Sequence, residues 1–231
     1  MRRVDPVTPR SRLVTLDLAG GAPAFDAGQA VIAGPAGQAG RPYSIACSPE
    51  RARAMGGLEL LVGLGSPADG PPPLLALAPG APVTLEGPVG TFRFAAAPGI
   101  SHVLFVAGGT GIAPLRAMLD HARHAHPDLH IALMYSARRA DEFAFLPELA
   151  ALAETGGLEL HQTVTRDDEE WGGQRGRIGR SHFEAVLHDP ARTQCFVCGP
   201  PQMVGESVTT LLALGVPDAA IRREEWGRKA V

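Results

Sequence analysis

Four short stretches carry residues whose types and spacing can do chemistry. The segment 107-AGGTGIAPLRAML-119 sets Gly108, Gly109 and Gly111 between a strand-like run and a helix-like one. Glycine permits positive φ and close approach to the backbone. A helix start offers free N–H groups and the positive end of a dipole, so phosphate is the natural ligand there. Pro114 falls where a first-turn proline is tolerated. A plain tight turn accounts for the string equally well. It is not the GxGxxG dinucleotide fingerprint, and it is not a Walker loop, because no Gly-Lys-Ser/Thr follows. A second turn, 198-CGPPQM-203, follows another apolar run. If its strand lies beside the first, both turns face one crevice, with Cys198 exposed at the strand end and Cys195 buried. The alternative is a Gly-Pro helix entry over a buried thiol.

The third stretch is 41-RPYS-44 and the fourth 87-GPVGTF-92. Arg41, Tyr43 and Ser44 offer a phosphate anchor, an aromatic platform and a hydroxyl donor. Arg41 and Tyr43 share one face of an ideal strand, with Ser44 opposite unless the strand ends there.

Other residues draw the eye and carry less. Cys195 and Cys198 have redox spacing, but inside a strand they point to opposite faces. With Cys47 they make three cysteines, too few for a disulfide framework or for the four thiolates of an iron–sulfur cluster. The run 120-DHARHAHPDLH-130 sets His121 and His124 one helical turn apart, but a metal site needs ligands of convergent geometry, usually with a carboxylate or thiol among them, and no metal is assigned. The run 167-DDEEW-171 reads as a solvated loop.

These residues need elements to hold them. A formal charge of -3 gives no case for nucleic acid or an anionic membrane as partner. The N-terminal arginines precede no apolar core, and no run approaches the roughly 18 apolar residues of a membrane span, so the expected location is cytoplasmic. Through the first hundred residues, strand-sized runs at 13–19, 30–34, 43–47, 58–64, 82–87 and 91–94 alternate with Gly- and Pro-rich turns. Residues 65–80 form a Pro-rich loop. About six such strands predict a small antiparallel barrel of Greek-key type over residues 1–97. After 95-AAAPGIS-101 the period changes. Buried strands at 102–108, 130–137, 158–166 and 195–199 alternate with helices at 113–126, 145–154, 181–189 and 201–215, and 220–226 supplies a last strand. That alternation predicts an α/β domain with a doubly wound parallel sheet over residues 98–231. In such sheets ligands bind outside the carboxyl ends of the strands, where both glycine turns fall.

The order of the pieces is distinctive. FDAGQ (25–29), RPYS, PGAPVTLEGPVGTF (79–92), GGTGIAPLRAML, YSARRADEFAFLPEL (135–149), TVTR (163–166) and CGPPQM follow one another over nearly the whole chain. This sequence resembles the ferredoxin–NADP reductase superfamily, as a reductase component without an iron–sulfur domain.

The resemblance implies a flavin-dependent NAD(P)H oxidoreductase. Hydride would pass from NAD(P)H to FAD N5, and single electrons to a separate ferredoxin, flavodoxin or oxygenase component. An electron-transfer subunit of a larger redox complex and a non-catalytic flavin-binding protein are the other readings. By the same resemblance, Arg41 contacts the flavin phosphate, Tyr43 with Pro42 packs on the isoalloxazine, and Ser44 lies near N5. Gly87, Gly90 and Thr91 form a turn near the flavin phosphates or ribityl chain. Gly108, Gly109, Thr110, Gly111 and Pro114 form the nucleotide's pyrophosphate cradle. Cys198, Gly199 and Pro200 flank the nicotinamide, and Trp226 shields the flavin with Glu225 close by. Ser44, Cys198 and Glu225 are the implied catalytic set.

Two departures bear on the cofactors. Residues 67–83 hold no Ser or Thr where the family usually has one on the flavin pyrophosphate, so FMN stays open beside FAD. The chain also extends past Trp226 as GRKAV. Arg138, Arg139, Arg166 and Arg177 stand where a 2′-phosphate is bound, which tilts the expectation to NADPH. Asp141 and Glu142 offer ribose-hydroxyl contacts instead, and solvated loop arginines are the plain alternative.

Overall fold

The computed structural model describes residues 1–65, 70–166 and 170–225. The first part of the chain forms strands β1 (Arg3–Thr8), β2 (Ser11–Asp17), β3 (Ala30–Pro35) and β4 (Arg41–Ser44), helix α1 (Pro49–Met55), then β5 (Gly57–Gly63) and β6 (Val83–Val89). They make two three-stranded antiparallel sheets, ordered β1-β2-β5 and β4-β3-β6. An isolated antiparallel bridge, Ile45 to Leu60, joins β5 to the segment just past β4.

One strand was not anticipated and one expected strand does not form, each for a physical reason. Residues 3–8 form β1 although Asp5 and Pro6 argue against a strand. β1 is an edge strand, where a missing N–H costs no ladder bond, and its register shifts between Pro6 and Thr8. Residues 91–94 alternate like a strand but are irregular. Phe92 and Phe94 alternate because both turn inward to the core, and Phe94 N–H bonds Ala27 O at 2.9 Å. The short α1, also not anticipated, is capped by Ser48, whose side chain accepts from Arg51 N–H, and is ended by Gly56 at φ 65°.

The second part runs β7 (His102–Gly108), α2 (Ile112–Ala125), β8 (His130–Ala137), α3 (Leu146–Glu154), β9 (Glu159–Val164), β10 (Gln174–Arg175), α4 (Arg180–Glu184), β11 (Thr193–Gly199), α5 (Pro201–Ala213) and β12 (Ile221–Glu225). The six-stranded sheet has the order β10-β9-β8-β7-β11-β12, and every pair is parallel. The two-residue β10 was not expected, and the helix expected over 181–189 is held to Arg180–Glu184. Alternate residues of β7 and β11 bury on opposite faces. Phe105 and Phe196 join Leu115 and Met118 of α2, while Leu104 and Val197 join Val208 and Leu211 of α5. Burying each such side chain contributes about 1.5–3 kcal/mol. The α2 face also takes Ala46, Leu61, Phe92 and Phe94, which seats the antiparallel sheets on the α/β part. No helix among the described residues is long and apolar enough to cross a membrane.

Strand order reverses at β7, because β8 lies to one side of it and β11 to the other. Such a switch point leaves a crevice at the carboxyl ends of the two strands. The two glycine turns end those strands.

Candidate functional site

At the end of β7 the chain makes a 3₁₀ turn, Gly109–Gly111, before α2 begins at Ile112. Gly109 takes φ 55°, a left-handed value that favours glycine. Gly108 and Gly111 have a different reason to be glycine. A Cβ on Gly108 would stand 2.6 Å from the Met203 sulfur and 2.8 Å from Pro200 Cδ. One on Gly111 would stand 2.2 Å from the Cys198 carbonyl oxygen. The turns after β7 and β11 therefore touch through backbone. Pro114 is the third residue of α2, where no intrahelical donor is lost, and it is buried.

A cleft of about 890 Å³ opens on this crevice. Of the anticipated residues it is lined by Gly108, Gly109, Thr110, Pro200, Arg138, Arg166 and Arg177. The arginines meet because three adjacent parallel strands deliver them. Arg138 follows β8 and Arg166 follows β9, with Arg166 N–H bonded to Arg138 O at 2.9 Å. Arg177 comes two residues after β10, where Gly176 N–H bonds Val164 O at 2.7 Å. All three are exposed. Arg139 goes elsewhere, pairing with Asp141 at 3.7 Å.

Sequence reasoning missed several lining residues. Arg10, in the tight β1–β2 connection, adds a fourth arginine and Glu206 a carboxylate, while Glu142, anticipated as a ribose-hydroxyl contact, also lines the cleft. Tyr135 is fully buried in β8, yet its hydroxyl donates to Gly109 O at 3.2 Å and accepts from Ala144 N–H at 3.0 Å. Burial raises its pKa, so the phenol stays protonated and holds the glycine turn to the loop before α3. A tyrosine inside the otherwise largely apolar run HIALMYSA was the available signal.

Cys198 corrects the expectation of an exposed thiol. It is 2% exposed and points into the α2 face, while Cys195 points to the other, and both are free. Parallel register sets Cys198 beside Glu224, and Glu225 beside Gly199. The Cys198 thiol donates to Glu224 Oε2 at 3.9 Å. Burial, then the Glu224 carboxylate, raises the thiol well above its ordinary value, so it is no nucleophile. Burial also lifts the Glu224 carboxyl from 4.5 to about 7, against the lowering effect of the Cys198 hydrogen bond. The carboxylate next to the thiol is thus Glu224, a residue outside the implied catalytic set.

A pH dependence with a definite sign follows. The folded-state pKa is raised, so the stability Glu224 lends is complete below about 4.5 and is lost as pH rises through about 7. Glu224→Gln should remove that loss. Thermal unfolding should show the variant gaining on wild type by on the order of 2 kcal/mol between about pH 5 and pH 8. Parallel Tm profiles would contradict the assignment.

The other group of anticipated residues sits on the antiparallel sheets. β3 lies between β4 and β6, with Val31 opposite Tyr43 and Ala30 opposite both Ser44 and Val89. RPYS and the turn after β6 are thereby brought to one sheet. Arg41 and Pro42 are exposed, and Tyr43 and Ser44 are half-buried. Burial raises the Tyr43 phenol, with Arg41 opposing. Gly87 and Gly90 take φ 123° and 96°, and a Cβ at Gly90 would meet nothing within 4 Å. Thr91 is the exposed residue that follows. Thr110 Cγ2 lies 3.4 Å from where a Gly63 Cβ would be, which brings the end of β5 against the glycine turn. Trp226 lies outside the described residues.

Known proteins share this arrangement. A family model described as the oxidoreductase NAD-binding domain matches residues 105–208. Ferredoxin–NADP reductase B of Sorangium cellulosum is 33% identical over 239 residues, covering 96% of this chain and 94% of that protein. One component of the Na(+)-translocating NADH-quinone reductase of Klebsiella pneumoniae is 31% identical over 203 residues, covering 81% of this chain and 49% of that component. This chain thus spans about half of that relative. The crystal structure of Amycolatopsis cytochrome P450 reductase GcoB superposes with a TM-score of 0.84 at 28% identity, over 97% of this chain and 68% of that one.

Proposed function

Because the chain belongs to the ferredoxin–NADP reductase family of NAD(P)H-dependent flavin oxidoreductases, we propose that it oxidises NADPH and hands single electrons to a separate carrier protein. The observation that carries this reading is the cleft at the β7/β11 switch point, which sets a backbone turn for a pyrophosphate beside three converging arginines. Gly108, Gly109 and Thr110 bind the pyrophosphate, and Arg138, Arg166 and Arg177 take the 2′-phosphate. Gly111 and Pro114 act from behind, by fixing the turn. Cys198, Gly199 and Pro200 limit the depth to which the nicotinamide enters. Glu224, with its carboxyl raised to about 7, holds or releases a proton at Oε2 near neutral pH.

We assign residues 1–97 to a barrel-like flavin domain and 98–231 to the nucleotide domain. Barrel closure is supported by the Met1 ammonium donating to Ala81 O at 2.9 Å and Gly80 N–H returning to Met1 O at 2.9 Å, beside the start of β6. The local residues fit a flavin. Tyr43 offers a half-buried aromatic face, Ser44 a hydroxyl, Arg41 an exposed guanidinium, and Gly90 an open cradle. FAD is the assigned form. When bound, the flavin converts a two-electron hydride input into single-electron output. The carrier is assigned as a ferredoxin, a flavodoxin or an oxygenase component; the names of the Sorangium and Amycolatopsis proteins include ferredoxin and cytochrome P450. Buried free cysteines suit a reducing compartment, and we place the protein in the cytoplasm.

The test is anaerobic mixing of flavin-loaded protein with NADPH and with NADH. Bleaching of the flavin absorbance by NADPH is the expected result; a bound flavin that neither nucleotide reduces rejects the proposal. For the arginines, Arg166→Ala should raise KM for NADPH roughly tenfold or more, the cost of a charged hydrogen bond, and move KM for NADH less than twofold. Equal effects on both coenzymes would remove Arg166 from the 2′-phosphate site.

A further inference from the structure

The starting ends of the parallel strands, remote from the cleft, bring together a second set of chemistry-bearing side chains. His102 opens β7, His130 opens β8 and Glu159 opens β9, while His188 lies in the connection after α4. Parallel pairing sets His102 opposite His130, and Glu159 opposite Ala132, two residues on from His130. Residues two apart share a sheet face. His102, His130 and Glu159 therefore share the face that carries Leu104 and Ala132, and α4 packs over that face through Phe183. His188, four residues after α4 ends, is delivered to the same place.

The distances are those of a ligand set. His188 Nε2 lies 3.1 Å and His130 Nε2 3.6 Å from the same Glu159 oxygen, Oε2. One ligand atom from each of the three residues falls within 4.8 Å of the others. Across a tetrahedral ion with bonds of about 2.0–2.1 Å, neighbouring ligand atoms are about 3.3 Å apart. The other Glu159 oxygen, Oε1, is 2.8 Å from His161 Nε2, an outer partner that fixes the carboxylate's orientation. The His102 ring stands 5.2 Å from that of His130 and is itself anchored, with Nδ1 2.9 Å from Ser101 Oγ. Two imidazoles and one carboxylate without a thiolate suit zinc or a similar first-row divalent cation, not calcium or magnesium, which take oxygen ligands. His130 ends the histidine-rich run to which the sequence assigned no metal. Its partners come from β9 and from beyond α4, not from the histidines of α2.

We propose that His130, Glu159 and His188 bind one zinc ion at the foot of the parallel sheet, with water completing the coordination. The ion ties β8, β9 and the α4–β11 connection together. His130 and Ala137 bound β8, so the site lies roughly 23 Å from the cleft end of the sheet at 3.3 Å per residue. It therefore acts on stability and not on hydride transfer.

The test uses flavin-loaded full-length protein freed of metal with EDTA. Titration with Zn²⁺, read by calorimetry, should give one ion per chain, and saturating Zn²⁺ should raise the Tm without changing the rate of flavin reduction. Co²⁺ in its place should give a visible absorption band of a tetrahedral nitrogen–oxygen site. His188→Asn and His130→Asn should each weaken Zn²⁺ at least tenfold and remove the Tm rise. Both positions are exposed, so these variants are expected to fold. His124→Asn, on the exposed end of α2, should change neither. No Zn²⁺ binding up to millimolar concentration, or full binding in the His130→Asn/His188→Asn double variant, would overturn the site.

Discussion

Gly111→Ala is expected to slow reduction of bound flavin by NADPH about a hundredfold while leaving the protein folded. The backbone at Gly111 sits at φ −60° and ψ −12°, values that alanine adopts freely. The penalty is therefore one of contact, not of conformation. The added Cβ would lie 2.2 Å from Cys198 O, 2.6 Å from Cys198 C and 3.0 Å from Gly199 Cα. All three are main-chain atoms, so no rotamer change relieves them. The turn after β7 must move away from the turn after β11, and the crevice between them is where the nucleotide is proposed to lie. A shift of about 1 Å in a reacting geometry is worth about 10²-fold in rate. Overpacking of this kind costs about 1–3 kcal/mol, which a folded protein of this size survives. Rapid anaerobic mixing measures the rate and thermal unfolding the stability. Gly205→Ala is the matched control: it lies within α5, and its Cβ meets nothing within 4 Å. A folded Gly111→Ala protein that bleaches at the wild-type rate would show that contact between the turns does not set the nucleotide's position.

That contact marks the boundary of what the sequence could tell. Glycine turns after apolar runs, and RPYS on a short strand, are demands of the local backbone and can be read one segment at a time. The parallel sheet was legible because alternating buried runs and helices admit few arrangements. Pairing between strands distant in the chain is another matter. Glu224 stands beside Cys198 only because β12 joins the edge of β11 in a particular register, and a shift of one residue would have placed Glu225 there. Burial of the thiol follows from α2 lying over it, which strand spacing alone does not reveal. Arg10 reaches the cleft because the β1–β2 connection arrives from the other half of the chain, and β1 itself was hidden by a proline that only an edge strand tolerates. In the same way, His130 was legible as the start of a strand, but its neighbours come from β9 and the segment after α4, which no local pattern brings together.

The second large effect is expected at Arg116, a residue inside the glycine-turn segment whose charge the motif left unexplained. Arg116 projects from α2 and is 3% exposed. Its Nη1 donates to Glu59 Oε2 of β5 and to Ala46 O, each at 2.7 Å, while Nη2 donates to Glu148 Oε2 of α3 at 2.7 Å and Nε to Glu148 Oε1 at 3.0 Å. The guanidinium carbon stands 4.2 Å above the Phe145 ring. Glu59 lies in β5 and Ala46 just past β4, while Glu148 and Phe145 belong to the α/β part, so one side chain fastens the two parts of the chain. Arg116→Met leaves Glu59, nearly as buried, without its charge partner. Removing one member of such a pair costs about 3–5 kcal/mol, which lowers the Tm by about 10 °C in a chain of this length. Arg51, at 3.4 Å from Glu59 and partly exposed, offsets little of that. The decisive comparison is the double variant Arg116→Met/Glu59→Gln, in which no buried carboxylate is left stranded and only the partly exposed Glu148 loses its Arg116 partner. It should recover more than half of the lost stability, because the penalty lies in the uncompensated charge and not in the missing bonds. Arg116→Lys keeps the charge but not the fork that reaches Glu59 and Glu148 at once, and should fall between. A Tm loss below about 2 °C for Arg116→Met would mean that apolar packing alone, through Phe92, Phe94 and Ala46 against the α2 face, holds the halves in register. A large loss that the double variant does not recover would assign the effect to lost packing of the arginine stem.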